Sequence, residues 1–256
     1  MTEPHTPSSL PPLTDADRSR YEWQISTADL GEEGQRKLKA ARVLVSRTGG
    51  VGSAAAYYLA AAGVGQLLLA HGGAVRPSDL NRQILMTTGA VGHPRVESSA
   101  RRLRELNPTI EIEAVPENIT PHNAASLIAK VDLVINAAPL FEERLAMNHE
   151  VVCQRKVMVD CAMYDFDAQV TTVIPGHTPC LACIVSAPPP QWRREFPVFG
   201  AVAGVVGTLG AVEAIKLLTG IGQPLTGRML LANLRDMSFR TLMLKRNPKC
   251  PVCRDL

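Results

Sequence analysis

The stretch VLVSRTGGVGS, Val43 to Ser53, decides the fold. A compact β-branched run enters a glycine-rich turn, and the Ala-rich segment SAAAYYLAAAG follows, with Gly63 as its stop. A strand passing through such a turn into a helix lets backbone amides approach an anion at the helix N-terminus, where the dipole also favours negative charge. Gly49, Gly50, Gly52 and Ser53 are therefore candidate phosphate-binding positions. The dinucleotide fingerprint G-x-G-x-x-G is incomplete, because Arg47 stands at its first glycine. The second strand ends in LLLAHGG, with His71 where an acid is expected to grip a ribose. Glycines also serve close helix–sheet packing, so the turn alone does not establish a nucleotide site.

Outward from this turn, the strands QLLLA, IEIEAV, VDLVINAA and KVMVD alternate with the helical segments RVESSARRLRELN, NAASLIAK and EERLAMNHEVVCQ. The alternation predicts right-handed crossovers and a doubly wound, mostly parallel Rossmann-like α/β sheet. From Ala168 the rhythm changes. AQVTTVI, RMLLANL and FRTLMLK read as strands flanking the long apolar segment FGAVAGVVGTLGAVEAIKLLTG, an antiparallel C-terminal extension of the same sheet. One domain is expected over 19–256, with a nucleotide-binding-type half at about 41–160 and an antiparallel, cysteine-bearing half at about 168–253.

The chain has 256 residues, 46% hydrophobic and 20% charged, enough to bury a sizeable core. Its formal charge of +3 and the absence of a dense basic run argue against nucleic acid. The opening segment MTEPHTPSSLPPLTDAD has neither the basic start nor the apolar stretch of a signal peptide, and predicts a disordered tail over 1–18. The apolar segment carrying Glu213 and Lys216 comes nearest to a membrane span but fits a buried helix better. A cytoplasmic protein is expected, and six cysteines then favour metal or chemistry over disulfides.

CLAC (Cys180, Cys183) and CPVC (Cys250, Cys253) supply four thiolates, the number of a closed tetrahedral zinc site. Such a site leaves no open coordination position, so the zinc would be structural and would pin the C-terminal tail to the loop after TTVIPGHTP. The bland alternatives are four buried thiols or two redox pairs.

The chain resembles the MoeB/ThiF/HesA family, bacterial relatives of ubiquitin-activating enzymes. The matching stretches are RYEWQI, GEEGQRKLKAARVLV, GGVGSAAAYYLAAAGVGQLLL, SDLNRQIL, GHPRVESSARRLRELNP, GTLGAVEAIKLLTG, GQPLTGRMLL, TPCLAC and NPKCPVC, running from Arg20 to Cys253. The resemblance implies a doubly wound dimer with zinc on the two C-x-x-C pairs. It also implies use of MgATP to adenylate the C-terminal carboxylate of a ubiquitin-like sulfur-carrier protein. Arg82, flanked by Asn81 and Gln83, matches a family arginine that contacts ATP phosphates, and Arg20 matches the first arginine of R-Y-x-R-Q. The chain departs from the family elsewhere. Trp23 replaces the arginine that reaches across the dimer, and Arg47 the first loop glycine. His71 and Gly73 replace two aspartates, Arg95 a lysine, and Asn136 and Pro139 the two aspartates of D-x-T-D-N. Magnesium wants oxygen ligands, and proline offers neither charge nor an N–H donor. Magnesium coordination of the family's kind is therefore not expected, while ATP or another nucleotide remains open.

Arg47 then has two readings. It joins Arg82, Arg95 and His71 in a cationic cluster for an anion, or it fills the emptied pocket and pairs with a carboxylate. Glu142, Glu143, Asp160 and Asp165 are the nearby carboxylates, expected as solvated charges unless they substitute for the lost aspartates. Cys153 and Cys161 are expected as buried core thiols. His93, His122, His149 and His177 are expected at the surface, and the loop bearing Trp192, Arg193 and Arg194 as a partner groove or a plain connection. Three functions follow: an adenylyltransferase with an altered site, with Arg82 and Arg95 as its catalytic cations; a non-catalytic scaffold for a nucleotide, carrier tail or partner; and, more distantly, an NAD(P)-dependent oxidoreductase with Arg76 at a 2′-phosphate.

Overall fold

The computed structural model describes residues 10–185, 187–190, 192 and 195–256. Three N-terminal helices, α1 (Asp15–Arg20), α2 (Glu22–Ile25) and α3 (Gly31–Ala40), precede the sheet. The wound half runs β1 (Arg42–Ser46), α4 (Gly50–Ala61), β2 (Gln66–Ala70), α5 (Arg95–Leu106), β3 (Glu111–Val115), α6 (Ala124–Ala129), β4 (Leu133–Asn136), α7 (Phe141–Cys153) and β5 (Val157–Tyr164). The remainder is β6 (Asp167–Val173), α8 (Leu181–Ile184), α9 (Gly200–Thr219), β7 (Arg228–Asn233) and β8 (Ser238–Met243).

All eight strands form one sheet in the order β3-β2-β1-β4-β5-β6-β7-β8. Pairings from β3 to β5 are parallel, and β6, β7 and β8 extend the sheet antiparallel, as the change of rhythm at Ala168 predicts. The side-chain alternation of a strand explains the two cores. Val43, Val45, Leu67 and Leu69 face a cluster closed by α3, α4, α5 and α9. Leu44, Leu68 and Ala70 face the opposite cluster, with α6, α7 and α8. Both faces of β1, β2 and β4 are thus covered, which is why these strands read as unbroken apolar runs.

The stretch expected to be disordered is ordered where it is described. Thr14 caps α1 in a reciprocal capping box with Asp17, and Lys39 reaches Asp17 at 2.7 Å, so residues 10–18 are held on the body. Residues 1–9 lie outside the described residues, as do Arg193 and Arg194. Helix α9 is long and apolar enough to cross a membrane, yet it buries Val206, Gly207, Gly210 and Ala211 against α4 and the sheet. A Cβ at Gly207 would strike the Val51 carbonyl, so glycine there lets α9 approach the start of α4.

Candidate functional site

Where β1 ends, the chain turns sharply. Arg47 adopts φ 63°, in the left-handed region that glycine enters freely and an arginine side chain does not. Its N–H donates to the Ala70 carbonyl at 2.7 Å, and its carbonyl accepts from Gly49 N–H at 2.6 Å. A Cβ at Gly52 would collide with that carbonyl, and Ser53 Oγ donates to the Thr48 carbonyl at 2.9 Å. Gly52 and Ser53 therefore shape the turn from behind, while Gly49, Gly50 and Val51 present the start of α4 to a cavity of about 1320 Å³. The cavity extends from this turn, past Pro139 and Phe141, to the open face of β6–β8 at Gln169, Leu231 and Phe239.

The two readings of Arg47 are decided by contact. Its guanidinium forms a two-point ion pair with Glu143 in the first turn of α7, and both side chains are about nine-tenths buried. Glu143 is thus a buried partner, not a solvated charge. Asp160 is also fully buried, bound to Arg144 and accepting from Asn136 Nδ2 at 2.8 Å. Burial lifts the Asp160 carboxyl above its ordinary range, against the pull of Arg144. Asp165 pairs with Arg235, and Glu142 is exposed.

Buried Asp79 gathers the other cations. Arg95 donates Nη2 to Asp79 Oδ2 at 2.7 Å, Gln83 Nε2 donates to Oδ1 at 2.9 Å, and Arg82 Nη2 reaches Oδ1 at 3.4 Å. Burial pushes the Asp79 carboxyl up, but hydrogen bonds from Arg95 and the Arg76 N–H, with the charges of Arg95 and Arg82, bring it below the usual range. Arg82 also holds the Ser78 carbonyl and Asn81 Oδ1 through Nη1, and lines the cavity with Arg47, His71 and Gln83. Arg95 lies behind Asp79 and binds the Gly72 carbonyl, away from the lining, so the expected four-member cationic cluster is divided. Gln83 Oε1 is buried and lacks a donor. His71 Nδ1 lies 3.2 Å from Thr48 Oγ1, which accepts from Ser99 Oγ at 2.8 Å.

Pro139 takes a part that sequence reasoning missed. Its carbonyl accepts the Trp192 indole N–H at 3.0 Å, and Trp192 packs edge-on to Phe141 and beside Tyr164 and Phe196. This aromatic group covers the cavity above α7. The spacing of the four aromatic residues carries no periodic signal in the sequence, since the start of α7, the end of β5 and the connection before α9 bring them together.

Cys161 is buried, and its thiol is pushed well up by burial. Cys153, expected in the core, is exposed on the outer face of α7, with His149 Nδ1 3.8 Å from its sulfur. His93, His122 and His177 are also exposed.

The four C-x-x-C thiols converge. Sγ separations are 3.4 Å for Cys183–Cys253, 3.6 Å for Cys180–Cys250 and 4.0 Å for Cys180–Cys183, with all four within 4.8 Å of one another. Zinc–sulfur bonds of ~2.3 Å make a tetrahedron with edges of about 3.8 Å, so the donor set fits a metal ion held by four thiolates. Burial pushes the Cys180 and Cys183 thiols up, while at Cys250 the backbone N–H groups of Val252 and Cys253, with hydrogen bonds from Cys180 and Cys183, outweigh burial and hold the thiol down at about 7.

The ThiF family model matches residues 21–252. Over 241 residues the chain is 46% identical to the vegetative HesA protein of Trichormus variabilis, covering 94% of this chain and 91% of that protein. It is 40% identical to the sulfur carrier protein adenylyltransferase of Thermus thermophilus, covering 94% and 93%. Among solved structures, E. coli MccB matches with a TM-score of 0.83 at 21% identity, over 95% of this chain and 76% of that one; this likeness concerns the fold.

Proposed function

Because this chain belongs to the ThiF family, we propose that it is an E1-like adenylyltransferase acting on the C-terminal carboxylate of a ubiquitin-like sulfur carrier. One observation carries the reading: a single cavity joins the N-terminus of α4 to the open face of β6–β8. The first end suits phosphate, through backbone amides, helix dipole and Arg82. The second is an exposed strand face open to an extended peptide tail. In the reaction a carboxylate oxygen of the tail attacks the α-phosphorus of ATP, the bond to pyrophosphate breaks, and an acyl adenylate forms. Arg82 orients the phosphates and balances charge as pyrophosphate leaves. Arg95 acts through Asp79, by fixing the carboxylate against which Arg82 rests. A homodimer, formed over the α9 face that exposes Val205 and Val212, and a cytoplasmic setting that keeps the cysteines reduced complete the proposal.

The carboxylates Glu143, Asp79 and Asp160 are each bound to arginine, and Pro139 follows β4. These residues do not fit a divalent ion held in the family's manner, which supports a second reading: a scaffold that binds a nucleotide or tail without adenylating it. ATP–pyrophosphate exchange with Gly-Gly-ended carriers, with and without magnesium, separates the two. Carrier-dependent exchange supports the enzyme; no exchange, together with tight AMP or tail binding, supports the scaffold.

A further inference from the structure

The cysteine cluster has a neighbour that the protein atoms alone leave unsatisfied. Asn148 on α7 is fully buried. Its Oδ1 accepts the Leu181 N–H at 2.7 Å, next to Cys180, while its Nδ2 makes no hydrogen bond. A buried amide donor without an acceptor is rare and destabilising. The acceptor on hand is sulfur: Oδ1 fixes the amide to the N–H of Leu181, the residue directly after Cys180, at the rim of the thiol cluster. A neutral thiol is a weak acceptor. A metal-bound thiolate retains lone pairs and negative charge, and accepts N–H donors well.

We propose that Asn148 is a positioning residue of the metal centre: its Nδ2–H donates to metal-bound Cys180 Sγ while its Oδ1 holds the Leu181 N–H. The inference rests on the reading that the four cysteines hold zinc. Two bonds from one amide then clamp the first C-x-x-C turn to α7. Asn148 stands four residues after Arg144, on the same helix face. Arg144 is anchored to Asp160 and lines the cavity. The clamp therefore ties the metal centre to the helix that carries Phe141 and Arg144 past the cavity.

The test uses the full-length, zinc-loaded chain and needs neither nucleotide nor carrier, so failure of the proposed adenylation leaves it intact. Asn148→Asp keeps the Leu181 bond and loses the amide donor; Asn148→Leu loses both. Both variants are expected to release zinc to excess chelator about 10–100-fold more readily. Their cobalt-substituted forms are expected to show a shifted thiolate-to-metal charge-transfer band. Zinc retention and a cobalt spectrum equal to wild type in Asn148→Asp would overturn the proposal. A wild-type chain purified without metal would overturn it together with the zinc reading. If neither variant folds, 113Cd-substituted wild-type protein decides. A through-hydrogen-bond coupling between cadmium and an Asn148 side-chain proton is expected, and its absence refutes the assignment.

Discussion

Arg47 and Glu143 meet as a buried two-point ion pair across the gap between the end of β1 and the first turn of α7. The arginine lines the cavity and holds a backbone conformation suited to glycine, while its side chain neutralises a buried carboxylate. Removing one partner leaves the other charge buried and uncompensated. Arg47→Ala is expected to cost ~3–5 kcal/mol in urea unfolding. Arg47→Gly combined with Glu143→Gln relieves both the backbone strain and the charge, and is expected to recover most of that loss. A double variant no more stable than Arg47→Ala would show that the pair is not the source of the effect.

Arg82 has a different character. Its partners are a backbone carbonyl, Asn81 and a long contact to Asp79, and it faces the cavity. Arg82→Ala is expected to reduce pyrophosphate exchange by about 10²–10³ while zinc content stays at the wild-type level. An unchanged rate would remove it from the site.

Asp79 sets an acid limit. Its folded pKa lies below the ordinary value of 3.8, so the unfolded chain binds the proton more tightly. The stabilisation is complete above that ordinary value and is lost as pH falls from there through the lower folded value. Denaturant midpoints of wild type measured from about pH 6 down to pH 2 should therefore decline more steeply than those of Asp79→Asn. Parallel profiles would contradict this.

The chain has two tryptophans, and Trp23 is 86% exposed while Trp192 is half-buried over the cavity. Trp192 emission should change when ATP or a Gly-Gly-ended peptide binds, and Trp192→Phe should abolish the change. A response that persists in Trp192→Phe would move the binding event elsewhere.

Zinc removal by chelation should lower the melting temperature by about 10 °C, because a metal on the four thiolates would close the C-terminal turn onto the loop after β6. An unshifted melting curve after verified metal loss would show that packing alone holds the tail.

Much of this architecture is legible in the sequence because it is local. The β-branched run before Gly49, the strand–helix alternation and the two C-x-x-C pairs each follow from short-range periodicity or spacing. The parts that are not legible depend on long-range pairing. Nothing near Arg47 in the chain names Glu143, which lies 96 residues away. Asp160 reads as a strand-end charge until the parallel register sets it beside Asn136. Cys153 ends an apolar-looking helical run, but α7 turns that position outward. The order of residues 10–18 rests on a cap at Thr14 and on Lys39, beyond the reach of composition.

The proposed adenylation requires one cavity to bring a nucleotide phosphate at the start of α4 together with a carrier tail over β6–β8. A structure with a Gly-Gly peptide ended in sulfamoyl adenosine, a stable mimic of the acyl adenylate, tests this most directly. The sulfamoyl group is expected at the Gly50 and Val51 amides and Arg82, with the peptide running toward Leu231 and Phe239. Density for the mimic outside this cavity, with Arg47 and Arg82 untouched, would contradict it.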